Sequence, residues 1–315
     1  MGSGDLSTIH YLLAMKYIVT GGAGFIGSNL AKALLADGHE VIILDNLLTG
    51  MRERIPDGAI FHEVDLVDLE AIRPFFEGVD GVFHFAALPR VPYSVEHPIE
   101  SSKNNIFSTL NVLVAARDAK VKRVVYSASS SAYGDESEIP QKPEMKVKPL
   151  SPYALQKLIG EFYSTQFYTL YGLETISLRY FNVYGPGMAE DGAYAPVFSI
   201  FKRQYLANEP LTILGDGSQT RSFCHVSDVV RANMLAMVSE KAGHGEVVNV
   251  SGKDAISIKD IAERFGRPIE YLPARAGDVP HSLGDITKTK ELLDWEPLVD
   301  FDDGFGELLK AWDVR

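Results

Sequence analysis

The sequence predicts an α/β fold, in which a doubly wound parallel sheet is followed by a smaller mixed α/β lobe. Short β-branched runs alternate with amphipathic helical stretches up to about residue 180. Apolar runs such as Val41-Ile-Ile-Leu are continuous rather than alternating, which is typical of parallel strands covered on both faces. A glycine-rich turn joins the first strand to the first helix, as in folds that hold a ligand at their strand ends.

The first half of the chain supplies the predicted sheet. Strands are predicted over residues 16–20, 40–45, 60–64, 81–85, 123–127 and 175–180. Helices are predicted over residues 27–37, 69–76, 104–119 and 152–171, and Pro152 suits the first turn of the last one. This alternation gives the repeated βαβ units of a doubly wound sheet.

The second half of the chain does not continue the regular alternation of strands and helices. After about residue 184 the elements become shorter and are punctuated by Gly185-Pro-Gly, Gly215-Asp-Gly and Gly277-Asp. We therefore expect a dinucleotide-binding domain over residues 15–183 and a substrate lobe over residues 184–315, with a strand near 247–251 returning to the first sheet. Met15-Lys-Tyr-Ile-Val-Thr resembles a natural start, so residues 1–14 are interpreted as a leader or an added segment.

Composition narrows the function classes. The chain has 315 residues and a net charge of −12, which argues against a general nucleic-acid binder because such a protein needs a basic face. The single cysteine, Cys224, allows no internal disulfide and fits a reducing compartment, so a cytoplasmic location is expected. No run has the length of a membrane span, and the first residues lack the features of a signal peptide.

The glycine-rich turn indicates a cofactor. Gly21, Gly24 and Gly27 follow the first strand, and Asp45 ends the second. Glycines allow a diphosphate to approach the N-terminus of a helix closely. A carboxylate at the end of the second strand can accept hydrogen bonds from ribose hydroxyls and would repel a 2′-phosphate. The turn therefore predicts NAD rather than NADP, and the alternative is a strand–turn–helix that binds no ligand.

Two more strand ends carry polar or small residues. Asp65-Leu66 and Phe85-Ala-Ala-Leu88 each lie just past a predicted strand. The carboxyl ends of parallel strands line the crevice in which such folds bind ligands, so alanines there would let the backbone approach a dinucleotide. Taken singly, Asp65 is also typical of a cap, and the alanines are also typical of simple packing.

Tyr153 and Lys157 are the candidate acid/base pair. They are four residues apart on a predicted helix and therefore share one face. A cation beside the phenol favours phenolate and is expected to lower the pKa of Tyr153. A tyrosine tuned in this way can take a proton from an alcohol. The serine run Ser127-Ala-Ser-Ser-Ser ends another strand and could offer a hydroxyl to the same oxygen, although serines also favour loops.

Other reactive residue types form no recognisable site. His84 lies inside an apolar strand and is interpreted as a core residue. Cys224 and His225 have no partners at a metal-ligand spacing, so no metal is predicted. No Gly-x-Ser-x-Gly elbow occurs, and a hydrolase of that kind is disfavoured.

Four motifs in combination are specific. They are Gly21-Gly-Ala-Gly-Phe-Ile-Gly, the serine run, Ser151-Pro-Tyr-x-x-x-Lys157 and Arg179-Tyr-Phe-Asn-Val-Tyr-Gly-Pro. With these motifs the chain resembles the extended short-chain dehydrogenase/reductase superfamily from about Lys16 to its C-terminus. More narrowly, it resembles the nucleotide-sugar 4-epimerases that act on UDP-glucose or UDP-N-acetylglucosamine.

The resemblance implies roles for the residues that match the family's motifs. Tyr153 is the implied base and acid, Lys157 also binds the nicotinamide ribose, and Ser129 is the catalytic serine. The implied cofactor contacts are Gly21, Gly24, Phe25, Ile26, Gly27, Asp45, Asn46, Asp65, Leu66, Ala86, Ala87, Leu88, Asn105, Ser127, Tyr153, Lys157, Tyr180 and Val183. The implied substrate contacts are Arg90, Ser129, Ser130, Ser131, Tyr153, Asn182, Val197, Arg221, Arg275, Asp278 and Ser282. Among these, Arg221 and Arg275 match two arginines that grip the diphosphate, a role suited to guanidinium forks.

Departures from the family's patterns bear on the reaction and the sugar. Relatives that dehydrate or decarboxylate carry acidic residues where Ser130 and Ser131 stand here, which disfavours both reactions. Ser282 stands where epimerases restricted to non-acetylated sugars have a bulky tyrosine, so an acetamido group is permitted and plain hexoses are not excluded. The loop at 184–188 lacks the arginine found in relatives that act on uronic acids, whereas Arg90 could contact a substrate carboxylate.

The resemblance therefore implies NAD-dependent, reversible C4 epimerisation of a UDP-hexose through a transient 4-keto sugar. UDP-N-acetylglucosamine is the expected substrate, and UDP-glucose is possible as well. A UDP-glucuronate 4-epimerase, a net nucleotide-sugar oxidoreductase and a non-catalytic dinucleotide sensor stay as alternatives. The family usually forms homodimers through two helices, here residues 104–119 and 152–171, and no nucleic acid or membrane partner is expected.

Overall fold

The computed structural model describes residues 14–188, 196–274 and 279–314. The strands, in chain order, are β1 (Lys16–Thr20), β2 (Glu40–Asp45), β3 (Ile60–Glu63), β4 (Gly81–His84), β5 (Arg123–Ser129), β6 (Glu174–Tyr180), β7 (Asn182–Tyr184), β8 (Leu211–Leu214), β9 (Thr220–His225), β10 (His244–Val250), β11 (Ala255–Ser257), β12 (Ile269–Leu272) and β13 (His281–Ser282). The α-helices are α1 (Phe25–Ala36), α2 (Leu69–Ile72), α3 (Val91–Glu96), α4 (Pro98–Ser102), α5 (Ser108–Asp118), α6 (Pro152–Tyr171), α7 (Val197–Leu206), α8 (Val226–Val238), α9 (Ile258–Phe265), α10 (Thr287–Leu293) and α11 (Phe301–Ala311).

The central sheet is parallel throughout its described strands. Its seven strands lie in the order β10-β6-β5-β4-β1-β2-β3. The chain runs outward from β1 through β2 to β3, and then returns to the other side of β1 with β4. The order thus reverses between β1 and β4, and such a switch point opens a crevice at the carboxyl ends of the strands. This is the doubly wound sheet that the sequence predicts.

Helices cover both faces of the sheet because neighbouring residues of its strands point to opposite sides. Val19 and Ile43 pack with Leu30 and Leu34 of α1 on one face. Ile18 and the other strand residues whose side chains point to the opposite face pack with α2, α5 and α6. Burial on both faces explains why the apolar runs of the strands are continuous, since each strand residue is buried on one face or the other.

Two helices and one strand have other bounds than the sequence predicts. The helix expected over 69–76 is an α-helical turn that passes into a 3₁₀ turn, Arg73–Phe76, since Pro74 has no backbone N–H to donate. The helix expected over 104–119 begins as a π-helical turn, Lys103–Phe107, before α5. The strand expected over 123–127 continues to Ser129. Helices α3 and α4 were not predicted.

The smaller lobe is built on β9, which pairs with β7 and β13 in parallel and with β11 in an antiparallel manner. Helices α7, α9 and α11 bury a cluster rich in phenylalanine against it, including Phe198, Phe201 and Phe265. After β9 and α8 the chain returns to the central sheet, where β10 pairs with β6. In the described ranges, no helix combines the length and the apolar character that a membrane crossing requires.

Candidate active site

One cavity of about 860 Å³ extends across the carboxyl ends of the central strands to the lobe. Nearly all of the described residues predicted to bind cofactor or substrate line it. They are Gly21, Gly24, Phe25, Ile26, Gly27, Asp45, Asn46, Asp65, Leu66, Ala86, Ala87, Leu88, Arg90, Ser127, Ser129, Ser130, Ser131, Tyr153, Lys157, Tyr180, Asn182, Val183, Arg221 and Ser282. The cavity is large enough for a dinucleotide and a second ligand to be considered together.

The glycine-rich turn forms a close-fitting cradle at one end of this cavity. Gly21 has a φ of +68°, and a Cβ there would lie 2.7 Å from the backbone nitrogen of Ala86. A Cβ on Gly27 would lie 2.4 Å from the Gly21 carbonyl oxygen. Gly24 caps α1 without a side-chain hydrogen bond, so the first N–H groups of the helix stay available to an anion. The residues present therefore fit the diphosphate of a dinucleotide.

Asp45 lies at the end of β2 beside this cradle. Its carboxylate accepts hydrogen bonds from the backbone N–H groups of Ala23 (3.0 Å) and Leu47 (2.8 Å). Burial raises the pKa of Asp45 above its ordinary value, and these two hydrogen bonds oppose the shift. Each oxygen retains a lone pair for a ribose hydroxyl, because a carboxylate oxygen can accept more than one hydrogen bond.

Asn105 lies behind the residues that line the cavity, and its contact with the cofactor stays a prediction. Its side-chain oxygen accepts from the Leu88 N–H (2.7 Å), and its nitrogen donates to Leu88 O (3.2 Å) and to Gln156 Oε1 (2.7 Å). The amide oxygen and nitrogen of Asn105 are thus both hydrogen-bonded behind the cavity wall. It fixes the backbone of Leu88, which itself lines the cavity.

Tyr153, Lys157 and Ser129 come together where β5 meets the first two turns of α6. Ser151 caps α6 by accepting a hydrogen bond from the Ala154 N–H (3.2 Å). The N–H of Tyr153 donates to Ser94 Oγ (3.0 Å), and the Lys157 ammonium donates to the carbonyl oxygen of Ser127 (2.7 Å). The three predicted catalytic side chains therefore share one stretch of the cavity wall.

The pKa of Tyr153 differs from the expectation. Burial raises it above the ordinary value of a phenol, and a hydrogen bond with Ser129 opposes the shift. Burial also lowers the pKa of Lys157, to about 7. The Lys157 ammonium points to the Ser127 carbonyl and lies 5.1 Å from the centre of the Tyr126 ring. Sequence spacing gives the shared helix face of the pair but not the cost of burying both groups.

A buried polar chain under the cavity was missed. His84 is hydrogen-bonded to Thr20 Oγ1 (2.7 Å) through Nδ1 and to Thr109 Oγ1 (2.9 Å) through Nε2. Burial lowers the pKa of His84 to about 3, and the Lys157 charge adds to the shift. Thr20 also accepts from the Ala86 N–H (3.3 Å), so this chain ties β1, β4 and α5 to the wall. The three residues are remote in sequence and carry no shared motif.

The lobe closes the other end of the cavity. Arg221 of β9 pairs with Ser282 of β13 in the strand register, and Asn182 Nδ2 donates to the Ser222 carbonyl oxygen (2.9 Å). Val197 begins α7 and does not line the cavity, whereas the preceding Pro196 does. The contact of Val197 with the substrate stays a prediction. The predicted contacts of Arg275 and Asp278 lie outside the described residues.

Comparisons with known proteins show that nearly the whole chain is similar to nucleotide-sugar epimerases. The model of the NAD dependent epimerase/dehydratase family matches residues 17–251. The structure of the Thermotoga maritima UDP-glucose 4-epimerase with UDP-glucose is 36% identical, with a TM-score of 0.90 over 95% of this chain and 99% of that one. A UDP-N-acetylglucosamine 4-epimerase from Methanobrevibacter ruminantium, in complex with UDP-N-acetylmuramic acid, is 35% identical, with a TM-score of 0.90 over 95% and 98%. The UDP-glucuronate 4-epimerase of Thermodesulfobacterium geofontis is 35% identical over 91% of this chain and 93% of its own.

Proposed function

The chain belongs to the NAD-dependent epimerase/dehydratase family and is a UDP-sugar 4-epimerase with NAD as its cofactor, and we propose that its substrate is UDP-N-acetylglucosamine, which it interconverts with UDP-N-acetylgalactosamine. Interconversion of UDP-glucose and UDP-galactose is proposed as a second activity of the same site. The observation that carries the proposal is the cavity itself. It joins the glycine cradle, the Tyr153 phenol and the small Ser282 side chain in one space.

The cofactor would lie along the carboxyl ends of β1, β2 and β4. The first N–H groups of α1 would hold its diphosphate, Asp45 its adenine ribose and Lys157 its nicotinamide ribose. NAD⁺, when bound, supplies a positively charged acceptor of hydride and later returns the hydride, so the reaction has no net redox change. The Asp45 carboxylate disfavours a 2′-phosphate at the same place.

Protons are moved by this chain's own residues. Tyr153 would remove the proton of the sugar's 4-hydroxyl as the 4-keto sugar forms, and return it after the sugar has presented its other face. The Ser129 hydroxyl opposes the rise in the pKa of Tyr153 and could donate to the same sugar oxygen. The positive charges of Lys157 and of the cofactor would favour phenolate and so counteract the rise in pKa that burial causes. Arg221 would hold the UDP end while the sugar turns.

The choice of sugar is argued from Ser282. This residue lies beside Arg221 on the neighbouring strand, and both line the cavity. A hydroxymethyl side chain leaves space there that a tyrosine would fill. Space beside the diphosphate-holding arginine is where the 2-substituent of the sugar is expected, since the sugar is attached to that diphosphate.

Turnover of a substrate panel tests the choice. We expect the protein to invert C4 of UDP-N-acetylglucosamine and of UDP-glucose, and NMR measures this inversion. Ser282→Tyr is expected to lower kcat/KM for the acetylated sugar about 10- to 100-fold relative to UDP-glucose, because a size difference of this kind is worth about 1–3 kcal/mol. Ser282→Ala is the matched control and should keep the ratio. If Ser282→Tyr left the ratio of kcat/KM between the two sugars unchanged, the assignment would be contradicted. A lasting change in the absorbance of the reduced nicotinamide during turnover would indicate a net oxidoreductase.

A second candidate, UDP-glucuronate 4-epimerisation, is favoured by Arg90. This residue lines the cavity, and its carbonyl oxygen accepts from the Ser94 N–H (3.0 Å) in the first turn of α3. Because Ser94 in turn contacts the Tyr153 backbone, Arg90 lies on the sugar side of the site. A guanidinium there suits a carboxylate. In the same panel, inversion of UDP-glucuronate that is lost in Arg90→Ala would favour this function over the first.

We also propose that the protein forms a homodimer through α5 and α6. Phe107 ends the π-helical turn before α5, and Leu155 and Phe162 lie on α6; they are 53%, 48% and 58% exposed. Exposed apolar side chains of this size are typical of an interaction surface. Light scattering should give the mass of two chains, and Phe162→Glu should shift it toward one. Leu298→Glu, at an exposed leucine elsewhere, should leave the dimer intact, and a monomeric starting protein would contradict the proposal.

A further inference from the structure

Helix α6 carries a third buried ionisable residue in line with the proposed acid/base pair. Tyr153, Lys157 and Glu161 follow each other at intervals of four residues and share one face of the helix. Glu161 is 1% exposed. It does not line the cavity, and the proton transfers described above make no use of it.

Arg179 on β6 holds Glu161 in its charged form. The guanidinium donates to both carboxylate oxygens of Glu161, at 2.9 and 2.7 Å, a fork-to-fork geometry. Arg179 is itself fixed over the Tyr133 ring at 4.7 Å and donates to the Pro143 carbonyl oxygen (3.3 Å). Burial raises the pKa of Glu161, and Arg179 and Lys157 oppose the shift. A carboxylate paired in this way has a reason to stay ionised in an apolar surrounding.

Lys157 depends on a nearby negative charge. Burial lowers the pKa of Lys157 to about 7, and the charge of Glu161 counteracts that fall. The other groups that face its ammonium are Tyr153 on α6, Tyr126 on β5 and His84 on β4. Tyr126 has a raised pKa and His84 a lowered one, so both are neutral near pH 7. Tyr153 carries a negative charge only as the working phenolate, so the standing negative charge that acts on Lys157 is that of Glu161.

We propose that Glu161, clamped by Arg179, is a positioning residue that keeps Lys157 protonated and thereby sets the alkaline limit of activity. The inference rests on the proposed function, in which the Lys157 cation supports the Tyr153 phenolate. As pH rises, Lys157 loses its proton and the phenolate loses that support. Removing the Glu161 charge makes this loss occur at a lower pH.

The pH dependence of kcat/KM for C4 inversion tests the proposal in the NAD-bound enzyme. Glu161→Gln is expected to move the alkaline limb about one pH unit toward acid, because without the nearby negative charge Lys157 loses its proton more easily. Glu161→Asp keeps the charge and should restore the limb. A purely structural role would lower activity equally at every pH, and that result would overturn the proposal.

A readout without turnover separates this proposal from the proposed function. In holoenzyme labelled with ¹³C at the lysine ε-carbon, the Lys157 resonance is assigned by its loss in Lys157→Arg. It should titrate about one pH unit lower in Glu161→Gln. An unmoved Lys157 titration would overturn the inference even if the enzyme epimerises, whereas a shifted titration supports it whatever the sugar proves to be.

A second variant covers the case in which Glu161→Gln fails to fold. A single substitution leaves the Arg179 guanidinium buried without its carboxylate, which is costly. The double variant Glu161→Gln/Arg179→Gln removes both charges and so avoids an unpaired buried cation. Because the Glu161 charge is the one that counteracts the fall in the pKa of Lys157, the same downward shift of the Lys157 titration is expected. An unchanged titration in the double variant would overturn the proposal.

Discussion

Tyr153→Phe is expected to lower kcat for C4 inversion by about 10³-fold, since it removes the group that takes and returns the proton of the 4-hydroxyl. The ring still fills the same space, and the N–H that donates to Ser94 is kept. Binding of the UDP-sugar should therefore change by less than about 3-fold, because the lost hydroxyl serves the transition state. NMR gives the rate of inversion, and calorimetry with the NAD-bound protein gives the affinity.

Tyr168→Phe on the same helix is the matched control for this variant. Tyr168 packs against His244 on the far half of α6 and does not line the cavity. It should leave kcat unchanged. If Tyr153→Phe retained a tenth of the activity or more, Tyr153 would not be the principal acid and base, and Ser129→Ala would then be expected to show the larger loss.

Gly27→Ala is expected to abolish retention of NAD and to lower the free energy of unfolding by about 2 kcal/mol or more. The added Cβ would lie 2.4 Å from the Gly21 carbonyl oxygen and 2.9 Å from Gly22 Cα. Both are backbone atoms of the turn, so no flexible side chain can move aside. The turn itself must shift, and with it the N–H groups that would hold the diphosphate.

The NAD content of the purified protein and its thermal unfolding check this prediction. Gly306→Ala on the exposed face of α11 is the control, because a Cβ there meets no atom within 4 Å. It should raise stability by about 0.5–1 kcal/mol through the helix preference of alanine. Full NAD content in Gly27→Ala would mean that the cofactor is not held at this turn.

Local chemistry explains what could be predicted from sequence. The β-branched runs gave the strands of the sheet, and the spacing of Tyr153 and Lys157 gave their common helix face. Gly27 is required by a backbone contact over a few residues, since a Cβ there would meet the Gly21 carbonyl oxygen. These features depend on neighbours in sequence, so the sequence alone is sufficient to predict them.

Packing between distant segments explains what could not be predicted. Asn105 matches a family position, yet its side chain is occupied by Leu88 and Gln156. His84 is bonded to residues 64 and 25 positions away. The pKa of Tyr153 is raised by burial, which depends on how tightly β5 and α6 pack. Interactions of this kind depend on tertiary contacts, which no local pattern encodes.

The position of β10 has a consequence for the order in which the molecule can assemble. This strand is synthesised after β9 and α8, yet it covers β6 at the edge of the central sheet. Arg123 at the start of β5 likewise donates to the carbonyl oxygens of Ala236 and Met237 at the end of α8. A nascent chain that ends before β10 therefore exposes β6 as an unpaired edge, which invites aggregation. The central sheet is therefore completed only after β7, β8 and β9 of the lobe have been synthesised.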